Sequence, residues 1–126
     1  MSDVTTLLQS YGHGQRDFSG VSLADVNLSH VDLKGADLSY SDLSNIDLSQ
    51  ANLRGVDLSY ANLSQVDLHD ADLRGAMLIG TDLRETSLQD ANLKDADYIP
   101  GITRFPTEFD PQQAQMSSVQ TETSKE

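Results

Sequence analysis

The chain of 126 residues contains no cysteine, and only 8 of its residues are Lys or Arg, against 20 Asp and Glu. Without cysteine it has no disulfide framework, no thiol nucleophile and no cysteine-based metal site. The formal net charge of -12 argues against direct binding to nucleic acid or to an anionic membrane surface. No apolar stretch approaches the length that spans a bilayer. The first fifteen residues lack a cationic start followed by an apolar run, so we expect no secretory signal and a cytoplasmic location.

A short repeat occupies most of the chain, which is long enough for one domain. From Phe18 to Tyr98 every fifth position holds a bulky apolar side chain, and the register never slips. In most units a small or β-branched residue lies two positions earlier and Asp or Asn lies one position earlier, so the unit reads (Ala/Val)-(Asp/Asn)-Leu-x-x. Ten Asp residues occupy the slot before the central residue, where a short carboxylate can accept hydrogen bonds from nearby turn amides.

A period of five does not keep the leucines on one face of an α-helix or of a β-strand. Five steps of 100° rotate a helical side chain by 500°, and five steps along a strand reverse its face. The backbone must therefore turn a corner in every repeat. Residues 33–52 and 53–72 also match each other closely, with Tyr40 and Tyr60 among the recurring positions. Since twenty residues hold four pentapeptides, the sequence predicts a four-sided coil in which equivalent corners stack.

These units resemble the pentapeptide repeat family over residues 16–99, in seventeen consecutive in-phase copies. The stretch LLQSYGHGQRDFSG also looks like the opening of small free-standing members, especially cyanobacterial ones. The resemblance implies an all-β solenoid, namely a right-handed quadrilateral β-helix, here of about four coils with a short N-terminal capping helix. It further implies that each central residue and the residue two before it point inward, while the other three face solvent.

Both ends of such a rod need covers, because an open end exposes core and unpaired strand edges. We expect a capping helix and linker over 1–15, the β-helix over 16–99, a C-terminal capping segment over 100–111 and a flexible tail over 112–126. The helix is predicted for residues 3–11, with Gly12 as its stop. After the repeats, the prolines forbid a regular ladder, and three apolar residues offer anchors for the capping segment: Ile102, Phe105 and Phe109.

The most organised polar feature is a set of four cations at a spacing of twenty, which we name the cationic column: Lys34, Arg54, Arg74 and Lys94. If corners stack, these side chains emerge along one line, where like charges repel. We expect acids such as Asp32 and Asp72 to neutralise them. The alternative is a narrow strip that grips an anionic partner.

A second feature breaks the polar consensus of the outward positions. We name it the apolar stripe, and its members are Tyr40, Tyr60, Met77, Ile79 and Ile99. An exposed apolar stripe on a polar rod usually meets another surface. The chain's own segment 100–110 folding over the lower part is one explanation, and a homodimer or partner interface is the other.

No constellation supports catalysis, a cofactor or a metal. The ladders Asp37/Asp57 and Asp47/Asp67 offer single carboxylates without converging ligands, and the histidines lie too far apart to share an ion. The outward serines have no positioned histidine base. Gly35, Gly55 and Gly75 fit corners that require positive φ better than they fit phosphate binding.

The sequence therefore predicts a non-catalytic scaffold or protein-interaction module that works through a rigid surface on an unknown protein partner, as a monomer or homodimer. The alternative is DNA mimicry, because pentapeptide repeat proteins linked to quinolone resistance resemble duplex DNA in shape and charge and bind DNA gyrase or topoisomerase IV. The net charge is compatible with mimicry. The small number of coils, the cationic column and the lack of a loop insertion count against it.

Overall fold

The computed structural model describes residues 4–23 and 25–120. These described residues form one helix, α1 (Val4–Gly12), and two short paired strands, β1 (Asp97–Tyr98) and β2 (Ser117–Ser118). The repeat region between them is held by single parallel bridges, one in every pentapeptide. No helix within the described ranges is long and apolar enough to cross a membrane.

The bridges join residues that lie twenty positions apart, beginning with Asp17 to Asp37 and running without a slip to Met77 and Asp97. This confirms the predicted period of twenty residues for one lap of the solenoid. Between coils, the N–H of each central residue from Phe18 to Leu78 donates to a carbonyl nineteen positions on, as from Leu38 to Asp57 at 2.8 Å. Hydrogen bonds between coils therefore replace the long strands of an ordinary sheet.

The central leucines point inward, as the pattern predicts. Every leucine from Leu23 to Leu83 is at most 4 % exposed, and the small residues two positions before them fill the space between. Leu88 is only partly buried. The stretch of chain below it, from Arg104 to Ser117, is two residues shorter than the stretch from Asp82 to Asp97 to which it pairs. Each coil needs the coils above and below it to complete the burial of its leucines, so the coils depend on one another for stability.

Each corner is a turn closed by a backbone hydrogen bond, such as Val56 N–H to the Leu53 carbonyl at 3.1 Å. The second residue after every leucine of the repeats except Leu83 has positive φ, as in a type II turn, and Gly35, Gly55 and Gly75 show this at 76°, 66° and 70°. The Asp or Asn before each leucine accepts the N–H two residues on, for example Ser39 N–H to Asp37 Oδ1 at 3.0 Å. That is the role the sequence predicts for these carboxylates.

The N-terminal helix closes the first coil. Leu7 is fully buried against the core, and the Tyr11 hydroxyl donates to the Lys34 carbonyl at 2.7 Å. In the coils below, the equivalent carbonyl of Arg54 accepts the N–H of Gly35 instead. The tyrosine hydroxyl thus replaces the donor that a further coil would supply. The Arg16 guanidinium lies 3.7 Å above the Tyr11 ring and holds it there.

The ladder shifts register after Tyr98. Asp82 pairs with Arg104, twenty-two positions on, because two extra residues bulge out before the chain re-enters the stack. Thr103 anchors the shift, since its buried hydroxyl donates to the Leu78 carbonyl at 2.7 Å and accepts the Gly80 and Ile99 N–H groups at 3.3 and 3.2 Å. Ile102, predicted as an apolar anchor, is instead 42 % exposed.

Phe105 and Phe109 do anchor the capping segment. Their rings stack with centroids 5.1 Å apart, and Phe105 meets Tyr98 edge-on at 5.5 Å. Both are partly buried against the core. The segment therefore covers the end of the last coil.

The prediction of a flexible tail over 112–126 is wrong for residues 112–120. β2 pairs in parallel with β1, Val119 N–H donates to the Tyr98 carbonyl at 2.8 Å, and Met116 packs against the core. Thirteen positions separate Arg104 from Ser117, where fifteen separate their partners Asp82 and Asp97. The two positions gained before Arg104 are thus lost again before Ser117, which pairs with Asp97 twenty positions earlier. The chain completes a further lap of ordinary length on the strand edge that the last coil leaves open. Residues 121–126 lie outside the described residues.

Candidate interaction surface

The two exposed tyrosines of the apolar stripe stack on each other. Their ring centroids are 5.4 Å apart with an interplanar angle of 14°, and the side chains are 69 % and 49 % exposed. Tyr40 N–H donates to the Ser59 carbonyl at 2.9 Å and Tyr60 N–H to that of Ile79, so the ladder fixes their spacing. The tyrosines occupy one corner position in successive coils, which we name the tyrosine column, with Gly20 above them and Gly80 below.

Gly80 accommodates the lower ring. A Cβ at Gly80 would overlap Cδ1 and Cε1 of Tyr60, whereas a Cβ at Gly20 would meet nothing within 4 Å. The Tyr60 ring therefore rests on the bare backbone of Gly80, and Tyr40 rests on Tyr60. Both tyrosines have φ near +60°, a conformation that bulky L-residues rarely adopt.

The other three residues of the apolar stripe lie in adjacent columns. Met77 is 39 % exposed and bridges Asp57 and Asp97, in the middle of a side rather than at the corner. Ile79 and Ile99 are only partly buried. The N–H of Ile99 bonds to Thr103, so the chain's own capping segment contacts the lower end of the stripe while both tyrosines stay exposed.

The cationic column also forms, because Gly35, Gly55 and Gly75 donate in turn to the carbonyls of the next cation below. Its members differ in their partners. Arg74 makes a two-pronged pair with Asp72, at 2.9 Å to Oδ1 and 2.7 Å to Oδ2. These hydrogen bonds lower the pKa of Asp72 and raise that of Arg74. Lys34, Arg54 and Lys94 are exposed and form no ion pair with any described residue.

Asp32, the second acid expected to neutralise the column, accepts the backbone N–H of Lys34 at 3.1 Å. Sequence reasoning missed a pair like that of Arg74 two corners further along the chain, where Arg84 reaches both oxygens of Asp82 at 3.0 and 2.9 Å. The sequence could have indicated this second pair, since both pairs occur in the same Asp-Leu-Arg motif.

The remaining acids are mostly held by their turns. Hydrogen bonds from the hydroxyl and N–H of the serine two positions on lower the pKa of Asp42 and Asp47, the hydroxyl having the larger effect. His69 lies beside Asp70, with Nε2 2.9 Å from Oδ2. No group of three or more potential metal ligands comes together anywhere in the described ranges. A shallow polar recess lies on the corner lined by Asn62, Ser64, Asp82, Arg84 and Glu85.

Comparison with known proteins identifies the chain. The family model described as pentapeptide repeats matches over residues 17–55, 32–70 and 67–97. A pentapeptide repeat protein from Nostoc PCC 7120 has 51% identity, and the match covers 94% of this chain and 98% of that one with a TM-score of 0.92. The chain belongs to the pentapeptide repeat family, whose members form right-handed β-helices.

Two further solved structures are similar over part of the chain. Rfr23 from the cyanobacterium Cyanothece 51142 has 27% identity over 75% of this chain and 69% of its own, with a TM-score of 0.41. HetL from Nostoc sp. strain PCC 7120 is a protein involved in heterocyst differentiation regulation. It has 37% identity, and the match covers 79% of this chain and 47% of HetL with a TM-score of 0.34. No protein of curated function matches significantly.

Proposed function

We propose that this protein is a non-catalytic interaction module that presents a rigid, four-sided surface of about four coils to a partner protein. The tyrosine column carries the proposal. Tyr40 and Tyr60 are large, exposed and held in place by the ladder, which lowers the entropy that a partner's binding must remove. Tyrosine is also enriched among residues that dominate binding energy at interfaces.

The turn geometry supports this assignment. A left-handed conformation costs a non-glycine residue about 1–2 kcal/mol, and glycine occupies the equivalent corner at Gly20 and Gly80. The tyrosines add exposed apolar area without contributing to the leucine core. Other corners adopt the same conformation with more polar residues, such as Asp25, Asn45 and Gln50, so the turn does not require tyrosine, and its presence points to a role other than forming the turn.

Site-specific photo-crosslinking tests the proposal. A photoreactive phenylalanine analogue at Tyr40 should join the protein to one defined partner in the source cell. The same analogue at Gln50, which has φ of 60° on another corner, is the matched control. Identical adducts from both positions, or none from Tyr40, would show that the tyrosine column is not an interface.

DNA mimicry toward gyrase or topoisomerase IV is the second candidate. One observation favours it, namely the run of aligned carboxylates formed by Asp17, Asp37 and Asp57 along one side. The exposed cations of the cationic column border that side. Purified gyrase provides the test, since supercoiling unaffected at micromolar protein would remove this candidate. The cytoplasmic location and the monomeric or homodimeric state stay predictions from the sequence.

A further inference from the structure

The upper face of the Tyr40 ring is open. Tyr60 covers the opposite face at 5.4 Å, and yet Tyr40 remains 69 % exposed. Gly20 lies one coil above and brings no side chain to the space over the ring. The corner therefore has a recess, which we name the step, where a side chain is missing at Gly20. The exposed face of the Tyr40 ring forms the base of this step.

Carboxylates flank this step on both sides. Asp17 and Asp37 lie in the column before the corner, and Asp42 lies in the column after it. In each, Oδ1 accepts turn hydrogen bonds, while Oδ2 makes none within the described part of the chain. Hydrogen bonds from the turn serines lower the pKa of Asp17 and of Asp42, so these groups are negative at neutral pH.

A tyrosine face and carboxylates both attract cations, and the face favours a flat one. The ring quadrupole is negative over its face, and guanidinium stacks there while its N–H groups bond to carboxylate oxygens. The chain already makes one such contact, between Arg16 and Tyr11 at 3.7 Å. A nucleic acid or an anionic membrane would instead meet repulsion from the same carboxylates.

We propose that the step above Tyr40 is a binding site for an arginine side chain in a basic segment of a partner protein. The guanidinium stacks on the open ring face, and its edge donates to Oδ2 of Asp37 or Asp42. The proposal rests on the proposed interaction function, whose partner it describes by chemistry.

Two short glycine–serine peptides test it, one carrying two arginines and the other two lysines. They are titrated into the full-length protein, and the backbone amide resonances of Gly20, Ser39 and Ser41, which remain in every variant, are followed by NMR. We expect the arginine peptide to bind about two- to fivefold more tightly than the lysine peptide, as for an exposed cation–π contact. Tyr40→Leu should remove the preference, and Gln50→Leu, at a corner of the same φ, should keep it.

A second variant pair tests the carboxylates without disturbing the turns. Asp37→Asn and Asp42→Asn retain the side-chain acceptor that Asn52 and Asn62 already supply at equivalent positions, at 3.3 and 2.9 Å. Both substitutions together should weaken binding of both peptides. Equal binding of the two peptides, or a preference that survives Tyr40→Leu, would overturn the arginine site. Either result leaves crosslinking from Tyr40 intact, so the two proposals fail separately.

Discussion

Replacing Gly80 with alanine tests whether the tyrosine column depends on a bare backbone beneath it. The new Cβ would overlap the Tyr60 ring, and φ at Gly80 is +70°. Two costs therefore arise together. Alanine in a left-handed conformation costs about 1–2 kcal/mol, and displacing the ring ends its stacking on Tyr40, which costs about 0.5–1.5 kcal/mol.

The chain offers a matched control for the first cost. Gly75 also has φ of +70°, but a Cβ there meets nothing within 4 Å. Gly75→Ala should therefore destabilise the protein by the conformational term alone. The free energies of unfolding of the two variants should differ by the stacking term, with Gly80→Ala the less stable.

Urea denaturation followed by circular dichroism measures that difference, provided that the m-value is unchanged. Repeating both alanine substitutions in a Tyr60→Ser background should make their costs equal, because no ring remains to be displaced. If Gly80→Ala and Gly75→Ala are equally destabilising in the native background, Gly80 does not support the column. The reasoning about the open face of Tyr40 would then also fail.

Three further substitutions each remove one hydroxyl group that makes hydrogen bonds. Thr103→Val should cost about 1–3 kcal/mol in urea unfolding because buried backbone groups lose their partner, whereas the exposed Thr107→Val should cost little. Ser49→Ala should raise the pKa of Asp47 in an NMR titration, since the serine hydroxyl is the largest cause of its lowering. The pKa of Asp47 is lower in the folded protein than in the unfolded chain. Its hydrogen bonds therefore stabilise the fold fully at pH values above the unfolded pKa, and this stabilisation is lost as the pH falls through the folded pKa. The variant should lose less on acidification, and an unchanged pKa would contradict this. Tyr11→Phe should cost about 1 kcal/mol by unfolding, the value of one hydrogen bond, and an unchanged stability would show that the first coil needs no such donor.

The repeat region could be predicted from the sequence because its geometry follows from one rule applied seventeen times. A period of five with a second period of twenty is enough to stack Tyr40 on Tyr60 and to turn Leu58 inward. The fit of Tyr60 on Gly80 could not be predicted, since it depends on the direction in which an exposed ring leans. The apolar stripe likewise needed coordinates to separate its corner residues from Met77.

The C-terminal end was harder to predict because its register depends on a side chain and not on a period. Two extra residues displace the bridge from the expected position to Arg104, and the Thr103 hydroxyl compensates by bonding to three backbone groups. Nothing in the spacing identifies that threonine among others. Residues 112–120 then complete a lap without leucines, which pairs with the open strand edge above it.

The residues at the corners are the ones whose identity the fold of this rod constrains least. Its sides are fixed by leucine inside and by Asp or Asn at the turn, so most outward residues there serve the fold. At the left-handed corner position the backbone accepts glycine, Asp, Asn, Gln or His as well as tyrosine, so the core does not select among them. A pair of tyrosines at that position, stacked in register and resting on a glycine, is therefore a feature that the fold does not require. Binding to a partner is the role that we propose for it, which makes Tyr40 the first residue to change.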